Sequence, residues 1–251
     1  MQPSQQKAWR AGRFWWDWPA PGDADAAPLT KLRAVVFDLD ALADVESAGH
    51  RRAFNAAFAA LGLDVEWSVP RYRQLQALTD ERRRVAAELR RRGINTECDV
   101  LAELLVDEVC MTKAMILDET IRDADITTRP GMADLIIEAH GSGVGIGVVS
   151  TGSHTWVEPL VRQLLGDGVA GAVVTADDVP RGELYRAALS ELGADAHDSL
   201  AFAGSQASQR WATATGLATA LVDDAAAPLR VADCQRAHDS WWETHRSPTA
   251  A

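Results

Sequence analysis

Five short apolar runs constrain this chain more than any other feature: residues 33–37 (RAVVF), 145–150 (GIGVVS), 171–175 (GAVVT), 199–203 (SLAFA) and 218–222 (ATALV). Runs of this length and β-branched content are expected of strands buried on both faces. Helical patterns over residues 155–165, 182–192 and 206–215 separate the last four. Strand–helix–strand repetition at this interval predicts a parallel, doubly wound α/β sheet.

The first strand breaks the rhythm. A long helical stretch, roughly residues 46–123, follows it before Arg129-Pro130-Gly131 restarts the alternation. Within that stretch Ala53, Phe54, Ala57, Phe58 and Leu61, and again Leu101, Leu104, Leu105 and Val109, fall at helical spacing. An all-helical insertion at this point predicts a cap over the carboxyl edge of the sheet, where such sheets bind ligands. The expected organisation is a core of residues 31–45 and 126–224, a cap of 46–125, and tails of 1–30 and 225–251.

The N-terminal tail is rich in Pro, Ala, Asp and Gln, without helix or strand period, yet carries Trp9, Phe14, Trp15, Trp16 and Trp18. Exposed aromatics are a solubility liability, so docking on the chain's own core is favoured over docking on a protein partner. The C-terminal tail carries Trp241 and Trp242, and both tails read as appendages. A formal charge of −11 argues against nucleic acid. The arginines of residues 82–84 and 90–92 read as a solvated helix face. Cys98, Cys110 and Cys234 are too few and scattered for a disulfide framework or a zinc site, which fits a reduced, cytoplasmic setting. No apolar run is long enough for a membrane helix.

Chemistry is expected just past the first strand. Asp38 and Asp40 in Phe37-Asp38-Leu39-Asp40 share a face by strand alternation, where the chain turns. Such a pair suits phosphoryl transfer, one carboxylate attacking phosphorus and the other handling the leaving-group proton. A divalent cation, usually Mg²⁺, would let the anionic nucleophile approach an anionic phosphate. The same spacing also occurs in plain turns.

The run Val36-Phe37-Asp38-Leu39-Asp40 resembles the first motif of the haloacid dehalogenase (HAD) superfamily. His50-Arg51-Arg52-Ala53-Phe54-Asn55, Phe58-Ala59-Ala60-Leu61-Gly62-Leu63-Asp64 and Arg129-Pro130-Gly131-Met132-Ala133-Asp134-Leu135-Ile136 resemble its CbbY-like, phosphoglycolate-phosphatase-like subgroup. The ordered set spans roughly residues 32–222. The resemblance implies a Rossmann-like HAD core with a parallel sheet and an all-helical cap inserted after the first strand. It implies Asp38 as nucleophile and Asp40 as general acid/base. Phosphate-binding or substrate-binding roles fall to Ser150, Thr151, His50, Arg181 and Arg82, and a Mg²⁺ site to Asp38, Asp40 and Asp178.

Several family positions depart from the pattern. Ala41-Leu42-Ala43 replaces the glycine-led loop after Asp40, one residue shorter. The lysine segment of the third motif is missing between Asp178 and Tyr185, leaving Arg181, whose planar fork is no point-charge substitute for an ammonium. The Glu-Asp-Ser of the fourth motif, whose acids hold Mg²⁺, is Ala203-Gly204-Ser205. A glycine turn of the cap is Thr79-Asp80-Glu81-Arg82. Two readings follow. One is a pseudoenzyme whose cleft binds a phosphorylated small molecule or a partner; the other is a working Mg²⁺-dependent phosphomonoester hydrolase.

Overall fold

The computed structural model describes residues 7–10, 14–17, 31–78, 80–94, 98–222 and 230–245. Its centre is a five-stranded sheet in the order β5-β4-β3-β6-β7, every neighbour parallel. The strands are β3 (Ala34–Asp38), β4 (Gly145–Val149), β5 (Ala172–Val174), β6 (Ser199–Ala203) and β7 (Ala218–Leu221). Ala34 to Phe37 of β3 are wholly buried, as a central strand between two helical layers requires. Phe37 stacks on Phe202 of β6 at 5.1 Å.

Helices α6 (Met132–Gly141), α7 (His154–Leu165), α8 (Leu184–Leu192) and α9 (Gln206–Ala214) cover the sheet. Each of the last three coincides closely with a helical pattern in the sequence. Behind β3 the chain makes one turn, α1 (Leu39–Leu42), and a π-turn, Glu46–His50. It then enters α2 (Arg51–Ala60), α3 (Val69–Leu75), α4 (Glu81–Arg91) and α5 (Asp99–Thr120). Caps fix the starts of α3 and α4: Arg71 N–H donates to Ser68 Oγ and Arg83 N–H to Asp80 Oδ1.

This helical insertion has its own apolar centre. Phe54, Phe58, Trp67 and Tyr72 are fully buried together with Val85 and Val109, and ring centroids lie 4.7 Å apart for Phe54–Trp67 and 5.0 Å for Phe58–Trp67. A fully buried carboxylate, Glu88, ties α3 to α4 by accepting from Arg71, Arg91 and Arg92. Burial would raise that carboxyl, but the three guanidinium partners outweigh it and hold it down to about 2. The arginine run is therefore no merely solvated face. Arg91 and Arg92 clasp Glu88, and Arg84 is buried.

The ends also differ from expectation. Lys7–Arg10 (β1) and Phe14–Asp17 (β2) form an antiparallel hairpin, with Trp9 opposite Trp15 in backbone register. Aromatic residues favour extended, pleated backbone even where no period-two pattern is visible. The proposed docking of those aromatic side chains, like Trp18, lies outside the described residues. At the other end α10 (Val231–His245) is docked rather than appended. Cys234 and His238 are fully buried, Trp241 and Trp242 pack on the main core, and Gln235 Oε1 accepts from Leu32 N–H at 2.8 Å. Spaced at i, i+4, i+7 and i+8, these four residues make one helical face, obscured in the sequence by its Cys, His and Trp content. Among the described residues no helix is long and apolar enough to cross a membrane.

Candidate functional site

Between the sheet's carboxyl edge and the helical insertion lies a cavity of about 330 Å³. Asp38 and Asp40 line it from the end of β3 and α1, Ser150 and Thr151 from the loop between β4 and α7, Arg181 from the turn before α8, and His50 from the π-turn. Strand register accounts for the gathering, since β3 and β4 end side by side with Asp38 opposite Val149. Ser150 Oγ accepts from Gly152 N–H at 3.1 Å. A Cβ on Gly152 would lie 2.0 Å from the Trp156 ring, so a larger residue there requires that ring to move.

Two expected residues fall elsewhere. Arg82 pairs with Asp107 of α5 and does not line the cavity; the ion pair along the insertion's outer surface satisfies it locally. Asp178 also stays out of the cavity. Its carboxylate accepts from Thr175 N–H (2.8 Å) and Thr175 Oγ1 (3.0 Å) and lies 2.8 Å from His154 Nε2. That is a turn-closing role, and it removes Asp178 from the expected metal set.

Five charged residues of the cavity were not singled out as site residues from the sequence: Glu46, Glu81, Arg84, Lys113 and Asp118. Lys113, on α5, places Nζ 2.7 Å from Glu81 Oε1 and 2.8 Å from His50 Nδ1, over the Phe54 ring at 5.0 Å. Tyr72 Oη donates to Glu46 Oε2 at 2.5 Å, with Arg84 Nη1 3.9 Å from the same oxygen. A signal for Lys113 was available. It is one of three lysines in a chain with twenty-two arginines, and it sits in an otherwise apolar helical stretch.

The aspartate pair sits beside Glu46 and Arg129. Burial pushes the Asp38 carboxyl above its ordinary value, against hydrogen bonding from Ser208 and the Gly204 amide. Burial first, then repulsion from Glu46 and Asp38, pushes Asp40 well above 3.8, with Arg129 opposing. For an acid raised in this way, stability is full below the unfolded value and lost as pH rises through the folded one. At neutral pH Asp40 therefore opposes folding. Asp40→Asn is expected to raise the melting temperature at pH 7 by several degrees, at ~2–4 °C per kcal/mol for a chain of this size. That gain should shrink towards pH 4; thermal melts across the range check it, and an unchanged or lower value at pH 7 would contradict it.

A Mg²⁺ ion requires oxygen ligands in near-octahedral array. Here Gly204 N–H donates to Asp38 Oδ2 at 3.2 Å, and Arg129 Nε donates to the Asp40 main-chain carbonyl at 2.9 Å. Where a further acid would stand, a Cβ on Gly204 would lie 2.6 Å from the Asp40 carbonyl carbon and 2.7 Å from Ala41 N. Among the described residues no group of three or more His, Cys, Asp or Glu side chains is placed to hold a metal. The residues present do not make a magnesium cage.

The family model for haloacid dehalogenase-like hydrolases matches residues 32–204. The chain belongs to that family. It is 34% identical over 194 residues to protein CbbY of Cereibacter sphaeroides, covering 74% of this chain and 82% of that one. Its fold superposes on the crystal structure of CbbY from Rhodobacter sphaeroides in complex with phosphate with a TM-score of 0.59 and 29% identity, over 79% of this chain and 92% of the other. A mutant of that CbbY in complex with xylulose 1,5-bisphosphate gives a TM-score of 0.60 at 29% identity, over 79% and 93%. The relatives are thus CbbY proteins, and the α/β Rossmann-like fold is shared with them.

Proposed function

We propose that the chain is a CbbY-like protein in which phosphomonoester hydrolysis is impaired or lost and the cleft persists as a binding site for a phosphorylated small molecule. One observation carries this reading: the loop after β6 has closed onto Asp40. Gly204 offers its amide to Asp38 where the family keeps an acid, and no side chain fits between Gly204 and the backbone of residues 40 and 41.

Two consequences oppose turnover. Without a firmly held cation, burial raises the Asp38 carboxyl above its ordinary value, which works against the anionic form that a nucleophile needs. The cleft also loses a preorganised electrostatic element, a loss of roughly 10²–10³ in rate for one such group. Binding is less affected. The Ser150–Thr151 loop leads into the N-terminus of α7, a favourable place for a phosphate, and Arg84, Lys113 and Arg181 line the same cavity.

The test is an assay of the purified chain against a panel of sugar phosphates with Mg²⁺, beside an Asp38→Asn control. The expected result is no turnover above that control. Turnover that Asp38→Asn abolishes would overturn the proposal in favour of a working Mg²⁺-dependent phosphomonoester hydrolase with Asp38 as nucleophile and Asp40 as acid/base.

A further inference from the structure

We infer that Glu81 determines the ligand class of the cleft: its carboxylate already occupies Lys113 of α5, so the site favours a ligand with one phosphate over one with two. The inference rests on the phosphate-binding reading above and deepens it.

Lys113 is only 5% exposed at its side chain, whereas Glu81 is 37% exposed. The lysine is thus fixed in the wall of the cavity, and its ammonium faces three neighbours: Glu81, the His50 ring and the Phe54 ring. An incoming anion has to take the place of Glu81 at 2.7 Å. Exchanging one charge-assisted contact for another gains little, and the displaced carboxylate stays nearby to repel the newcomer.

The remaining charges act in the same direction. Glu46, Glu81 and Asp118 line the cavity beside the Asp38–Asp40 pair, against the cations Arg84, Lys113 and Arg181. Arg84 is itself committed, donating from Nε to Leu78 O at 2.7 Å with Nη1 near Glu46. One phosphate can settle at the Ser150–Thr151 loop, with Arg181 lining the same cavity. A second, against α4 and α5, would meet a cation pair already neutralised by its own carboxylates. The CbbY mutant whose complex holds xylulose 1,5-bisphosphate marks the contrast to be tested.

Isothermal titration of the full chain with inorganic phosphate, xylulose 5-phosphate and xylulose 1,5-bisphosphate, in chelator to prevent turnover, decides the matter. The wild type is expected to bind the monophosphate at least as tightly as the bisphosphate, a comparison that needs no variant. Glu81→Gln is expected to tighten bisphosphate binding about tenfold or more and to leave the monophosphate within about threefold. Glu108→Gln, which removes an exposed acid outside the cavity, should do neither. A wild type that prefers the bisphosphate tenfold, or a Glu81→Gln that leaves it unmoved, overturns the role of Glu81 while sparing the cleft as a phosphate site. Failure of both proteins to bind any of the three probes overturns the phosphate reading itself, and this inference with it.

Discussion

Phe54→Ala is expected to cost about 3–5 kcal/mol in a denaturant titration, the range for truncating a large buried aromatic. The ring is fully buried and lies within 4.7 Å of Trp67 and 6.3 Å of both Phe58 and Tyr72, so its loss opens a cavity among rigid neighbours that cannot collapse to fill it. The same ring is the floor beneath Lys113. Phe54→Leu restores most of the volume but not the π-face, and should recover more than half of the stability. A cost under 1 kcal/mol for the alanine variant would show that the aromatic cluster is not the insertion's centre.

Gly204→Asp, the direct attempt to restore a fourth-motif acid, is expected to destabilise the chain by on the order of 3–5 kcal/mol and to restore no turnover. A Cβ at 2.6–2.7 Å from the main chain of residues 40 and 41 cannot be relieved by rotating a flexible side chain; the backbone of one loop has to move. The new carboxylate would also join Asp38 and Asp40, which burial already holds above their ordinary range. Adding Mg²⁺ during the melt separates the two contributions, because charge repulsion is relieved by a cation and overlap with backbone is not. A stable Gly204→Asp protein that gains Mg²⁺-dependent phosphatase activity would sink this account. Rebuilding the site requires lengthening the loop after Asp40, where the sequence lacks a residue relative to the family pattern.

The core was legible because its signals are local and redundant. Each strand is a short apolar run, β-branched in β3, β4 and β5, and α7, α8 and α9 carry clear helical periods. The gathering of Asp38, Asp40, Ser150, Thr151 and Arg181 in one cavity follows from parallel strands delivering their carboxyl ends to one edge, with His50 joining from the π-turn that opens the insertion. Residues contributed by the helical insertion were harder to read. Lys113, Glu81 and Arg84 enter the cavity through the packing of α4 against α5, which no single-helix pattern encodes. Arg82 and Asp178 were misplaced for the opposite reason. Each has a nearer partner, Asp107 and Thr175, than the site it was expected to join. The docking of α10 was hidden because its buried face is built of Cys234, His238, Trp241 and Trp242 rather than aliphatic residues.

The aromatic cluster around Phe54 and the apolar faces of the sheet are separate cores, and the polar groups of the cavity lie along the seam where they meet. Neither hydrophobic centre depends on the particular charges facing the other. Ligand preference can accordingly be re-engineered at positions such as Glu81 and Arg181 while the scaffold stays whole, with the pinch point at Gly204 as the place where that licence stops.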